Sequence, residues 1–272
     1  MRVAPIGGGG RRARRREGLS CGIVLILLPP SEGKAPRGTS KLRRLSFPEL
    51  ASPREKVLDA LIALSGSADA LPVLGLSQGQ ADAVALNREL RTARALPVAD
   101  LYTGVLYDNL GLGSLPPDAR QRAVRRIVVF SGLWGLLRIT DRIPPYRLSM
   151  GVRLPPMGGL AAFWKPSITA ALTPVKGLVV DMRSSTYATA WPTGERGVAV
   201  RVLREAGGAR TVVSHMAKAT RGAVARSLVD SAERLRTPQE LAGFLQERGW
   251  RAELQEPPSP GRPWTLDVIV DA

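Results

Sequence analysis

The run IVVF (Ile127–Phe130) constrains the fold most, because four β-branched or aromatic residues in unbroken succession suit a strand covered on both faces. A second run of this kind, Ile23–Leu28, opens into PPSEGKAPRGTSK, a loop rich in glycine, proline and lysine. Later strands are expected at Gly177–Asp181, at Val198–Leu203 and Thr211–His215 as a hairpin across Gly207-Gly208, and at Trp250–Leu254 and Trp264–Val270 around a Pro-Gly turn. Consecutive hairpin strands exclude a purely parallel sheet. The expected fold is therefore α/β with an α+β tendency: a single domain whose mixed, partly antiparallel sheet is flanked by helices.

Helices are placed by their caps and apolar stripes. Ser52, Pro53 and Glu55 read as N-cap, first-turn proline and capping-box glutamate of a helix with the stripe Val57, Leu58, Leu61, Ile62 and Leu64. Others are expected at Gln80–Arg94, Asp118–Arg126 and Met216–Leu235, and after the capping box Thr237, Pro238, Glu240. Pro166 is expected to split Leu160–Leu172 into two pieces.

A net charge of +16 points to nucleic acid or phosphorylated ligands. Residues 1–22 read as a disordered, Arg-rich extension preceding a domain at 23–272. Met1–Ser20 contributes +5 of the charge and the rest of the chain +11. The apolar run after this extension is too short for a signal peptide, no stretch is long enough to span a bilayer, and a cytoplasmic location is expected without membrane binding. One cysteine, Cys21, and one histidine, His215, offer no conventional transition-metal site, and no cofactor is expected.

Phe130–Gly151, FSGLWGLLRITDRIPPYRLSMG, leaves its strand where small residues begin. Gly132 and Gly135 are expected to turn the backbone so that amides from Ser131 to Gly135 face a phosphate. Arg138, Arg142 and Arg147 follow, and Pro117–Arg153 holds eight arginines against Asp118 and Asp141. Arginine's planar fork suits phosphate oxygens. A tight turn and a solvated face would account for a lone GxxG, but the charge bias favours binding.

Three catalytic motifs fail on their own requirements. A P-loop needs glycine at Leu28 and Ser or Thr at Ala35. Ser31 and Lys34 form SxxK, yet SDN and KTG are missing, so Lys34 is read more simply as a phosphate-binding charge. Ser131, Asp181 and His215 follow the chain order of an α/β-hydrolase triad, but Val129 stands where the nucleophile elbow requires glycine.

RSSTY (Arg183–Tyr187) follows a buried strand, where open sheets place ligands, and Ser184 suits a helix cap. Lys218 and Arg221 are three apart on the first turn of a helix, where cations oppose the macrodipole. A bound anion would satisfy both, and a solvated helix face accounts for them equally well. Ser31, Lys34 and Tyr187 are the catalytic candidates. Lys34, Ser131, Gly132, Gly135, Arg138, Arg147, Ser184, Lys218 and Arg221 are the candidate phosphate contacts.

Together LILLPPSEGK, YTG (Tyr102–Gly104), SGLWGLLR with PYRLSMG, FW (Phe163, Trp164), RSSTY and AKATRG resemble the YaaA peroxide-stress family, in order and spacing from Ile23 onward. The resemblance implies a cytosolic protein that limits iron-mediated damage under hydrogen peroxide and binds duplex or branched DNA through its phosphates. It also implies a helix-hairpin-helix-like element, placed at Ser131–Gly135, and a positively charged cleft. Trp134 stands where relatives often carry tyrosine, and His215 where the enteric form has an aromatic residue, so histidine is not expected to serve a shared mechanism. The alternative is an enzyme acting on a nucleotide or other phosphorylated small molecule in a pocket of Ser31, Lys34, Ser184, Tyr187, Lys218 and Arg221.

Overall fold

The computed structural model describes residues 24–36, 38–212 and 214–271, without the side chains of Ser214 and His215. The expected N-terminal extension, Ile23, Cys21 and the His215 side chain lie outside the described residues. From β1 (Leu25–Leu28) the chain enters α1 (Ala51–Ser65), α2 (Ala70–Leu74), α3 (Ala81–Arg88), the short strand β2 (Leu96–Pro97), α4 (Val98–Leu101), α5 (Val105–Leu110) and α6 (Pro117–Arg126). Next come β3 (Ile127–Ser131), β4 (Gly135–Leu137), β5 (Arg142–Ile143), β6 (Arg153–Leu154), β7 (Gly158–Gly159) and α7 (Leu160–Leu172). The chain ends with β8 (Val179–Asp181), α8 (Ser185–Ala188), β9 (Gly197–Ala206), β10 (Ala209–Val212), α9 (Ser214–Asp230), α10 (Pro238–Gln246), β11 (Arg251–Gln255) and β12 (Trp264–Asp271).

Eight strands form the main sheet in the order β11-β12-β9-β8-β1-β3-β4, with β10 also paired to β9. Strands β3, β1, β8, β9 and β12 run parallel, whereas β4, β10 and β11 are antiparallel to their neighbours. This is the expected mixed sheet. Ile26 of β1 lies opposite Ile127 of β3 on one side and Val180 of β8 on the other. Every residue of β1, β3 and β8 is buried, as their unbroken apolar runs require. The chain first builds the sheet toward β3 and then returns to the other side of β1. Strand order therefore reverses between β1 and β8, where open α/β sheets leave a crevice beyond the carboxyl ends.

Four expectations are corrected. Ser131–Gly135 is the turn of an antiparallel β-pair, with Ser131 opposite Gly135, and no helix-hairpin-helix element occupies it. α1 begins at Ala51 after a 3-10 turn at Pro48–Leu50, so Pro53 sits inside the first turn and no side chain caps the helix. α3 stops at Arg88, short of the expected Arg94, and its buried Asn87 exchanges hydrogen bonds with the backbone of Arg147: Nδ2 donates to the Arg147 carbonyl at 2.9 Å, and the Arg147 N–H donates to Oδ1 at 2.8 Å. α7 runs through Pro166 unbroken. Its fully buried stripe Leu160, Trp164, Ile168, Leu172 repeats every four residues across the proline, and that packing outweighs one lost backbone hydrogen bond. The Thr237 cap of α10 forms as expected, with the Glu240 N–H donating to Thr237 Oγ1 at 3.1 Å, but the reciprocal half of the box does not: the Glu240 carboxylate accepts from the Arg236 N–H at 2.6 Å.

Candidate functional site at the carboxyl ends of the parallel strands

Lys34 lies in the loop that leaves β1 at this crevice. The loop pairs with the end of α4: Ala35 N–H donates to Leu101 O at 2.8 Å, Thr103 N–H to Gly33 O at 3.2 Å, and the Ser31 hydroxyl to Thr103 O. Gly33 lies close against Thr103, whose Oγ1 would stand 2.9 Å from a Cβ there and would have to turn away to admit one. So fixed, Lys34 donates from Nζ to Ser31 O at 2.7 Å and lies over the ring of Tyr146 at 4.5 Å and that of Tyr102 at 5.5 Å. Burial and the nearby Arg147 charge pull its pKa down to about 7, against a smaller upward pull from Glu32. A lysine in this condition is partly a free amine at neutral pH.

Beneath it runs a chain of hydroxyls. Tyr102 OH is 2.9 Å from Tyr146 OH, which is 2.6 Å from Ser131 Oγ, which accepts the Trp134 N–H at 3.0 Å. Tyr107 closes the crevice from α5, its hydroxyl donating to Pro29 O at 2.7 Å. Burial pushes Tyr102, Tyr107 and Tyr146 upward, so all three remain neutral phenols. Tyr187, carried by α8 beyond β8, is also raised by burial, although the Met150 backbone and the Ser149 hydroxyl bond to it.

Arg147 joins this group. Its guanidinium donates to Glu32 Oε2 at 3.0 Å, with the Arg147 side chain 25% exposed and that of Glu32 83% exposed. An incoming anion can replace so loose a carboxylate. α8 is held in place by Arg183, which is buried and makes a two-pronged bond to Asp181 at 2.8 and 2.6 Å, and donates further to Trp191 O and Tyr187 O. A groove of about 510 Å³ opens beside the crevice, between the end of α2 and the 149–153 loop, and Ser149 borders both.

Of the residues expected from sequence, Ser31, Lys34, Ser131, Arg147 and Tyr187 come together here. Ser184 is the N-cap residue of α8, exposed, with no capping bond from its side chain. Gly132 and Gly135 are corrected: both are buried. A Cβ on Gly132 would stand 2.7 Å from Leu148 O, and one on Gly135 2.8 Å from the Trp164 ring, so these glycines serve close packing, not phosphate. Arg138 donates to the carbonyls of Arg125 and Ile127 at 2.9 and 3.0 Å and covers the Phe47 ring. Arg221 donates inward to Val200 O at 3.1 Å, while Lys218 is exposed.

Sequence reasoning missed Tyr102, Tyr107, Tyr146, Glu32 and Ser149. The available signal was the pair of segments YTG and PYR, each placing a tyrosine beside a backbone turn. Among the described residues no group of three or more His, Cys, Asp and Glu side chains is placed to hold a metal ion, and no helix is long and apolar enough to cross a membrane.

A family model described as "Peroxide stress protein YaaA" matches residues 24–256. A UPF0246 protein of Streptomyces coelicolor is 48% identical over 258 residues, covering 91% of this chain and 98% of that relative. A UPF0246 protein of Corynebacterium efficiens is 41% identical over 255 residues, covering 91% of this chain and 100% of its own. A third, from Corynebacterium glutamicum, is 38% identical over 257 residues with the same coverage. The family model and the relatives agree, and the chain belongs to the YaaA peroxide-stress family.

Proposed function

We propose that the crevice around Lys34 binds a phosphorylated ligand and moves a proton or makes a bond through the lysine amine, and that peroxide defence works through this site. The observation that supports it most is the placement of Lys34: an amine near neutrality, set over two phenol rings at the sheet's reversal point, with Arg147 beside it. Arg147 would hold phosphate, and the groove past Ser149 would hold the rest of the ligand. We route the link to iron damage through this chemistry.

DNA binding through phosphates is a second reading. It is favoured by an exposed basic group, Lys41, Arg43, Arg44 and Arg94, brought together where Ser40 pairs with Ala95. One experiment separates the two: binding of AMP, inorganic phosphate and duplex DNA to the full chain, to Arg147→Ala and to a Lys41/Arg43/Arg44→Ala variant. Under the first reading Arg147→Ala weakens AMP binding at least about tenfold, phosphate competes, and the triple variant binds AMP normally. Loss of DNA binding and of its salt dependence in the triple variant alone, with no AMP binding by any chain, would leave only the second. Peroxide survival of cells carrying Lys34→Ala, expected to match that of cells lacking the protein, ties the crevice to the stress.

A further inference from the structure

We propose that Lys34 is a nucleophile that forms an imine with an aldehyde carried next to a phosphate group. This rests on the reading of the crevice as a phosphorylated-ligand site, and adds what the ligand must contain. Four observations support it.

The first is the lone pair. Lysines become nucleophiles when they are desolvated or lie beside another cation, and both conditions act on Lys34, through burial and through Arg147. With its pKa at about 7, roughly half the amine is free at neutral pH, against less than about one part in a thousand for an ordinary lysine.

The second is that the other hydroxyls described in the crevice are engaged, that of Ser149 with Tyr187 and the Gly151 N–H. Tyr102, Tyr107, Tyr146 and Tyr187 are all held as phenols. The Ser31 hydroxyl is committed to Thr103 O, and Ser131 Oγ to Tyr146 and the Trp134 amide.

The third concerns the product. A general base ends its step as an ammonium, which burial and Arg147 disfavour here. Addition to a carbonyl ends uncharged. The nitrogen lone pair forms the C–N bond as the carbonyl π bond opens, and the oxygen takes one proton from nitrogen. The C–O bond then breaks, water leaves with the second nitrogen proton, and a neutral C=N remains. No oxidant or reductant is consumed.

The fourth is Arg147, which Glu32 holds only at an exposed ion pair and which lies close enough to Lys34 to shift it. A phosphate on Arg147 would bring an adjacent aldehyde to the amine. Two sources share that chemistry: a small phosphorylated aldehyde, and the deoxyribose of an abasic site, whose C1′ aldehyde is flanked by phosphates.

The test incubates the full chain with cyanoborohydride and either glycolaldehyde phosphate or a duplex containing one abasic site, at pH 6, 7 and 8, followed by peptide mapping. Binding of non-aldehyde counterparts, inorganic phosphate and a duplex with a tetrahydrofuran abasic analogue, is measured in parallel. The expected result is a reduced adduct at Lys34, absent from Lys34→Arg, with a yield rising about tenfold from pH 6 to pH 8 as the amine loses its proton. The arm that gives the adduct identifies the source. Binding of the counterparts without any Lys34 adduct overturns the imine and leaves the phosphate site standing. An adduct mapped instead to Lys41, Lys56, Lys165, Lys176 or Lys218 overturns it as well. If no probe binds or reacts, both the imine and the phosphate site fall.

Discussion

Lys34 works against the stability of the protein that holds it. Its pKa is about 7 in the fold and 10.5 in the reference state, so between those values the unfolded chain binds a proton that the native chain does not. The sign follows: this group's penalty is complete below about pH 7 and is relieved as the pH rises toward 10.5. Lys34→Met is therefore expected to unfold at higher urea than the parent at pH 7, by on the order of 1 kcal/mol, with the gain shrinking toward pH 10 and ligand binding lost. Gly132 shows the opposite balance. A Cβ there meets the backbone at Leu148 and Ser149, which cannot rotate away, so Gly132→Ala is expected to lose about 2–4 kcal/mol in urea unfolding. The sequence suggests a phosphate turn at Gly132, because how Leu148 folds back onto it within the same stretch is not visible from spacing.

Helix α7 and the Arg183 anchor show what elements contribute. Trp164 is fully buried, donates from Nε1 to Gly132 O at 2.8 Å and packs against Gly135, so α7 holds the β3–β4 turn from below. Trp164→Ala is expected to lose about 3–5 kcal/mol, measured by thermal unfolding, and to loosen the loop that carries Tyr146. For α8 the corresponding change is Asp181→Asn. It leaves Arg183 buried without its carboxylate and is expected to lose about 3–5 kcal/mol, with faster amide exchange in α8. Elements with a continuous apolar signature, β1, β3 and β8, were legible in the sequence because burial alone specifies them. The α1 start, the α3 end and the unbroken α7 were not: α1 follows directly on the turn at Pro48–Leu50, and the buried packing of Trp164 carries α7 past its proline. The site was legible where it follows strand ends, at Ser31, Lys34 and Tyr187. Its other tyrosines read as ordinary core aromatics until the loops were brought together.

Over the whole molecule, arginines do much of the joining. Arg122 and Arg126 reach from α6 to the last carbonyls of α9, at Leu228, Val229 and Asp230, where helix ends favour cations. Arg226 returns the contact to Gly111 O at 3.0 Å, and Arg54 binds the carbonyls of Trp134 and Leu136 at 2.9 and 2.7 Å. The arginine excess of Pro117–Arg153 thus serves the fold in large part, and a count of charges in the sequence cannot separate this use from a phosphate surface. Arg126→Ala is expected to lower stability by about 2–4 kcal/mol while leaving the salt slope of any DNA binding unchanged, as urea unfolding beside a salt titration would reveal. The position of β1 has one more outcome. This strand is made first by the ribosome but lies between β3 and β8, so Leu25–Leu28 has no neighbour on one side until Ile127 is made and none on the other until Val179 is. Until then the nascent chain carries an open strand edge, the kind of surface at which incomplete chains pair wrongly.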